Sequence, residues 1–188
     1  IGADAARRLG PADEPGALGD LAGRADDVAA LAVALADRLG TDLGAAIRHH
    51  GDLHLGQVVL GDDRWVILDF EGEPARPLAE RRRRHSPLRD VAGMLRSFAY
   101  AAATARRSEG HLLSPGWEPA ARAAFLDGYL ATVQPELLPA SSVATRDLLT
   151  LLELEKVVYE IGYELDHRPD WVGLPVEGLR RLLAGAGA

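Results

Sequence analysis

The chain has 188 residues, 47% of them apolar and 26% charged, which suits one folded domain with a sizeable core and excludes a disordered chain. A net charge of −7 argues against polyanion binding, so no nucleic acid is expected as a partner, and the lack of cysteine excludes disulfides and thiolate metal sites. No apolar stretch reaches bilayer length and no signal peptide opens the chain, so the reading is a soluble, cytoplasmic protein with no membrane partner.

Residues 1–22, with Pro11, Pro15 and several Gly, read as loop or linker. From Asp26 to Leu39, the residues Val28, Leu31, Leu35 and Leu39 recur at helical spacing, with Asp26 or Asp27 as the expected cap and Gly40 as the stop. The period then changes. Val58–Val59–Leu60 and Trp65–Val66–Ile67–Leu68 are short apolar, β-branched runs on either side of residues 61–64, the pattern of a β-hairpin, and the second run reads as a buried strand. The basic run at residues 81–84 lies among Glu71, Glu73 and Glu80 and reads as a solvated loop. Ser86–Pro87 opens a helix from Leu88 to Ala105, with Val91, Met94, Leu95 and Phe98 on one face. A second helix spans Glu118 to Val133. The longest spans Thr145 to Leu165, after Ser141–Ser142, and is stopped by Arg168–Pro169–Asp170. A short last helix covers Val176 to Leu183. The expected fold class is mainly α with a small embedded β-hairpin.

The polar residues that stand out flank that hairpin. His50, Gly51, Asp52, His54 and Gln57 precede its first strand, and Asp69 ends its second. A hairpin brings its outer ends together, so Asp52 and Gln57 are expected near Asp69. Carboxylates and an amide converging there make a hard, oxygen-rich site that suits Mg²⁺ held jointly with phosphate oxygens. A carboxylate beside it can take a proton from an attacking hydroxyl. An Asp five residues before an amide, followed by an Asp after a strand turn, is the spacing of kinase catalytic loops and their metal ligands. Gln57 in place of Asn, and Phe70–Glu71 in place of Phe–Gly, argue against a protein kinase. The sequence His50–x–Asp52–x–His54 leaves a metallohydrolase open as an alternative, although His49, His85, His111 and His167 add no convincing motif.

On the longest helix, Lys156, Tyr159, Glu160 and Tyr163 fall at i, i+3, i+4 and i+7, on one face. Lys156 is the single Lys among 21 basic residues. A polar-aromatic stripe of this kind can line a sugar cleft, since a sugar presents both hydroxyls and C–H faces. The spacing alone favours a snorkelling Lys with two half-buried Tyr; the single Lys and the family resemblance below favour the pocket.

Four ordered blocks carry a resemblance to a known family. They are residues 50–57 (His-Gly-Asp-Leu-His-Leu-Gly-Gln), residues 68–74 around Asp69–Phe70–Glu71, residues 86–98 from Ser86 to Phe98, and the stretch from Tyr159–Glu160 to Trp171. Together they resemble the aminoglycoside-phosphotransferase-like kinases and, more narrowly, the maltokinase family. The resemblance implies the C-terminal lobe of a protein-kinase-like fold over residues 23–188. Within it would lie a catalytic loop at 50–57, a metal-binding Asp-Phe-Glu segment at 69–71 and a sugar-site helix at about 145–165. It implies ATP and Mg²⁺ as cofactors and a small-molecule sugar as acceptor, with maltose converted to maltose 1-phosphate. The alternative is an amino-sugar kinase giving glucosamine 6-phosphate, because maltokinase-like proteins include these; Glu160 and Glu164 could serve an ammonium group as well as a neutral sugar.

By the same resemblance Asp52 is the general base, and Gln57 and Asp69 hold the metal against the ATP phosphates. His54, Lys156, Tyr159, Glu160 and Tyr163 join Asp52 at the substrate, while His50 and Asp90 support the loop. Glu71, Glu73 and Arg89 belong to the motif without an assigned role; a salt-bridge network holding the loop after Asp69 is one reading. Trp171 reads as packing. Kinases of this type need a strand-rich N-terminal lobe with a phosphate-binding Lys, and neither precedes residue 46. That lobe is therefore expected outside this chain, the chain alone is expected to lack appreciable activity, and a non-catalytic pseudokinase fragment is the remaining alternative.

Overall fold

The computed structural model describes residues 23–73, 76–107 and 113–186, so the expected linker at 1–22 lies outside the described residues. Helix α1 covers Ala25–Leu39 and buries Leu31, Leu35 and Leu39, the stripe its spacing defines. Arg24, not Asp26 or Asp27, holds the N-cap position and makes no side-chain cap bond. The two Asp fall in the first turn, where they favour the helix by facing its positive end. Strands β1 (Val58–Leu60) and β2 (Trp65–Ile67) form the hairpin. The remaining helices are α2 (Leu78–Arg81), α3 (Leu88–Arg107), α4 (Trp117–Thr132), α5 (Ser142–His167) and α6 (Gly173–Ala186).

Helix α5 is the axis of the domain, packing against α1, α3 and α6. Ser141 starts it: the Ser141 hydroxyl accepts the Ala144 N–H at 3.0 Å, satisfying one of the unpaired donors of the first turn. One apolar cluster joins Leu35, Leu154, Val157, Ile161, Val176 and Leu179 across α1, α5 and α6. A second joins Leu39, Leu88, Val91, Leu95, Leu148 and Leu149 across α1, α3 and α5. Each such Leu or Val, fully buried, stabilises by about 1.5–3 kcal/mol relative to exposure. No helix among the described residues is long and apolar enough to cross a membrane.

The hairpin forms as expected, and its register pairs Val58 with Ile67, Val59 with Val66 and Leu60 with Trp65. It is not buried as its run of apolar residues suggests. Leu60 and Trp65 are more than half exposed, and Ile67, Leu68 and Phe70 also face outward. An apolar run marks a strand that could be covered, and among the described residues nothing covers this one.

Helix α3 lies directly against the loop that precedes the hairpin. A Cβ on Gly93 would stand 2.5 Å from the Leu53 carbonyl oxygen, so only glycine allows this approach.

Candidate functional site

The loop at residues 50–54 is anchored from the first turn of α3. The Asp90 carboxylate accepts the His50 N–H at 2.7 Å and the Gly51 N–H at 2.9 Å, one on each oxygen. Gly51 turns the chain there with φ +87°, a left-handed conformation open to glycine. The buried His50 ring then bridges two segments. Its Nε2 lies 2.7 Å from the Leu68 carbonyl oxygen, and its Nδ1 lies 3.3 Å from the Asp52 N–H. A carbonyl only accepts and an N–H only donates, so the proton belongs on Nε2. One imidazole therefore ties the backbone of Asp52 to the residue before Asp69. Phe70 packs on the same ring, with centroids 5.0 Å apart.

Past Asp52, the His54 Nδ1 accepts the Gly56 N–H at 3.0 Å and turns the chain into a single 3₁₀ turn at Leu55–Gln57. Gln57 and Asp69 meet as the hairpin geometry requires: the Gln57 amide donates to Asp69 Oδ2 at 3.0 Å. Asp69 has φ +60°, a left-handed conformation shared by no other non-glycine among the described residues. Such a residue costs on the order of 1–3 kcal/mol and marks a segment held by its surroundings.

No group of three or more His, Asp or Glu among the described residues could hold a metal by itself. The metallohydrolase cluster is thus not assembled: His50 spends both ring nitrogens on protein partners, and His54 spends Nδ1 on the loop. Asp69 and Gln57, with Gln57 Oε1 outside their mutual bond, form an incomplete oxygen set. Mg²⁺ is commonly bound by one or two carboxylates with phosphate oxygens and water, so these residues fit an ion that arrives with a phosphate.

A cleft of about 410 Å³ opens beside the loop, lined by Asp52, His54, Lys156, Tyr159, Glu160 and Tyr163 among others. The volume lies in the range of small-molecule sites. The Lys156 ammonium reaches Asp52 Oδ1 at 3.4 Å and lies 5.3 Å from the centre of the Tyr159 ring. The Tyr159 and Tyr163 rings stack at 6.4 Å, and Tyr163 stacks on His167 at 4.4 Å, so aromatic faces run along one side of α5. Burial, reinforced by the Glu73 and Asp52 carboxylates, pushes the Tyr159 hydroxyl up to about 12 and keeps it a proton donor.

Glu160 differs from the other three residues of its stripe. Although it borders the cleft, it is buried, and its Oε2 accepts both Arg96 Nε at 3.0 Å and Arg96 Nη2 at 2.8 Å. Burial pushes the Glu160 carboxyl above its ordinary value, with the Arg96 guanidinium pulling the other way. Glu164 is more enclosed still. Arg168 grips both of its oxygens, at 2.9 and 2.7 Å, and the Tyr100 hydroxyl donates to one at 2.9 Å. The cleft therefore rests on a buried layer of ion pairs.

The sequence reading missed Arg96, Tyr100 and Arg168 as parts of this site. The available signal was a matched spacing: Arg96 and Tyr100 are four apart on α3, as Glu160 and Glu164 are on α5. Arg89 forms a bidentate pair with Glu155, both bonds 2.8 Å, and Glu73 acts on Tyr159. Glu71 contributes its carbonyl, which accepts from Arg81 at 3.3 Å. Trp171 is packing: Tyr100 stacks on it at 6.4 Å, and the Arg107 guanidinium lies 3.9 Å from its ring centre.

No family model matches the chain. Among curated proteins, it is 35% identical over 167 residues to a glucosamine kinase of Mycolicibacterium smegmatis, covering 87% of this chain and 40% of that protein. It is 36% identical over 179 residues to a glucosamine kinase of Streptacidiphilus jiangxiensis, covering 92% of this chain and 39% of that protein. Among solved structures, a glucosamine kinase in complex with glucosamine, ADP and inorganic phosphate superposes with a TM-score of 0.79 at 28% identity, covering 98% of this chain and 47% of that one. A second crystal form of a glucosamine kinase gives a TM-score of 0.78 at the same identity, with 97% and 44% covered. The chain thus spans about 40% of the length of the curated relatives it matches.

Proposed function

We propose that this chain forms the acceptor and metal side of an ATP-dependent sugar kinase, with an amino sugar of the glucosamine type as acceptor. The observation that carries the reading is the hydrogen-bonded unit around His50, which joins Asp52 at the cleft to the segment bearing Asp69. A base and a metal ligand are held in one frame, beside a cleft of small-molecule size. In this reading the sugar hydroxyl attacks the terminal phosphorus of ATP. A new O–P bond forms, the bond to ADP breaks with its electron pair leaving on ADP, and Asp52 takes the hydroxyl proton. Gln57 and Asp69 would hold Mg²⁺, which offsets phosphate charge when bound. His50 orients the loop by its two bonds, and Asp90 fixes the loop backbone.

The names of the relatives support glucosamine over maltose as acceptor. So does the charge around the cleft: Asp52, Glu73, Glu160 and Glu164 stand against Lys156, Arg168 and the buried Arg96 that pairs with Glu160. That small excess of carboxylate favours a cationic sugar, and the 6-hydroxyl is carried over as the acceptor position from the amino-sugar resemblance. The likeness to glucosamine kinase structures supports a kinase-like C-terminal lobe as the fold. The single Lys of the sequence lies in α5 at the cleft, so the nucleotide phosphates call for a Lys from a further lobe, and the partial coverage of the relatives agrees with one. The test is ADP release by the full-length protein that carries this chain, with glucosamine, maltose and glucose offered in turn. Glucosamine is expected to give the highest kcat/KM. A preference for maltose would return the acceptor to the first expectation, and no ATP-dependent turnover of any sugar would end the kinase reading.

A further inference from the structure

One turn of α5 touches three separate pieces of the site. Glu155 takes two 2.8 Å bonds from Arg89, which neighbours Asp90 in the first turn of α3. The same carboxylate lies 3.5 Å from Arg76, in the segment that follows Asp69, and Arg76 is held in turn by Glu80 of α2 at 2.6 Å. Lys156, next in sequence, reaches Asp52, and Tyr159 is hydrogen-bonded to Glu73. The Glu155 carboxylate is largely enclosed. Burial opposes its charge, yet Arg89 and Arg76 hold the carboxyl below its ordinary value, so it stays ionised between two guanidinium groups.

We propose that Glu155 is a positioning residue, fixing the segment after Asp69 against the Asp90-anchored catalytic loop through Arg76 and Arg89. Neither Arg touches Asp52 or Asp69 in the contacts above; both act through the backbone that carries them. Arg89 pulls on the turn whose neighbour Asp90 holds His50 and Gly51. Arg76 follows Asp69 by seven residues in sequence. A single carboxylate shared by both sets their separation, and with it the geometry between base and metal ligand. The effect on turnover rests on the kinase reading, whereas the effect on loop order does not.

The experiment uses Glu155→Gln and Glu155→Asp in the full-length protein, with two readouts. Backbone amide exchange is measured first. In Glu155→Gln, the amides of residues 50–52 and of Arg76 should exchange about 10-fold faster or more, with α4 and α6 unchanged. Steady-state kinetics come second. For Glu155→Gln, kcat should fall by about 10- to 100-fold and the half-saturating Mg²⁺ should rise, while the sugar KM changes little, since misplacement by about 1 Å can cost about 100-fold in rate. Glu155→Asp keeps the charge and should recover part of both losses. Exchange that is unchanged, or faster everywhere alike, overturns the proposal. So does a variant that loses melting temperature yet keeps kcat and Mg²⁺ dependence per folded molecule. If the wild-type protein phosphorylates no sugar, the function reading fails, and the exchange arm still decides the proposal.

Discussion

The two sides of the loop at residues 50–57 are built in opposite ways. Towards α3 and α5 the contacts are polar, short and enclosed: Asp90 on the loop backbone, Arg96 on Glu160, Arg89 on Glu155, Arg168 and Tyr100 on Glu164. Towards the hairpin, Leu60, Trp65, Ile67 and Phe70 stand exposed, and the strands are three residues each. The difference separates two jobs. The enclosed side fixes the loop that carries Asp52, which under the proposed function must be in place before an acceptor arrives. The exposed side leaves the apolar residues of the hairpin uncovered among the described residues.

Substitutions on the two sides should differ accordingly. The largest stability loss belongs to Arg96→Met, which strands Glu160 in the interior; breaking a buried pair from one side costs about 3–5 kcal/mol, readable by chemical denaturation at pH 7. Without Arg96, burial and the Glu164 carboxylate act on Glu160 with Lys156 opposing them, and its folded value rises further above the unfolded 4.5. An acid with a raised folded value binds its proton more readily when folded. The stability of the variant should therefore recover as pH falls through that folded value, and a loss independent of pH would contradict a stranded charge. On the exposed side, Trp65→Ser in this chain should shift stability by no more than about 0.5 kcal/mol, because the ring is two-thirds exposed. A loss well above that would mean the hairpin is packed more firmly than its surface exposure indicates.

The same contrast explains what the sequence discloses. The apolar stripe of α1 and the alternation from β-branched runs to helical spacing locate the elements, because burial imposes those periods. The meeting of Gln57 with Asp69 follows from hairpin geometry alone. The environment of the charged residues on α5 does not follow from period. Glu160 shares a helical face with Lys156 and Tyr159, yet its carboxylate turns inward because Arg96 waits on α3, 64 residues away in sequence. A helical wheel assigns a face to a side chain and not a partner. Likewise the runs at β1 and β2 mark apolar strands, and whether they are covered depends on neighbours that the period does not describe. Gly93 is a third case: its need to be glycine appears only when α3 is laid against Leu53.

The central claim is that Asp52 is the base of a phosphoryl-acceptor site. It is tested most directly by the turnover of Asp52→Asn in the full-length protein, with folding checked by its melting curve. A fall in kcat of about 10²- to 10⁴-fold, with the sugar KM little changed, is the predicted result. Turnover equal to wild type in the folded variant would contradict the assignment of Asp52 and, with it, the account of the enclosed side as a prepared acceptor site.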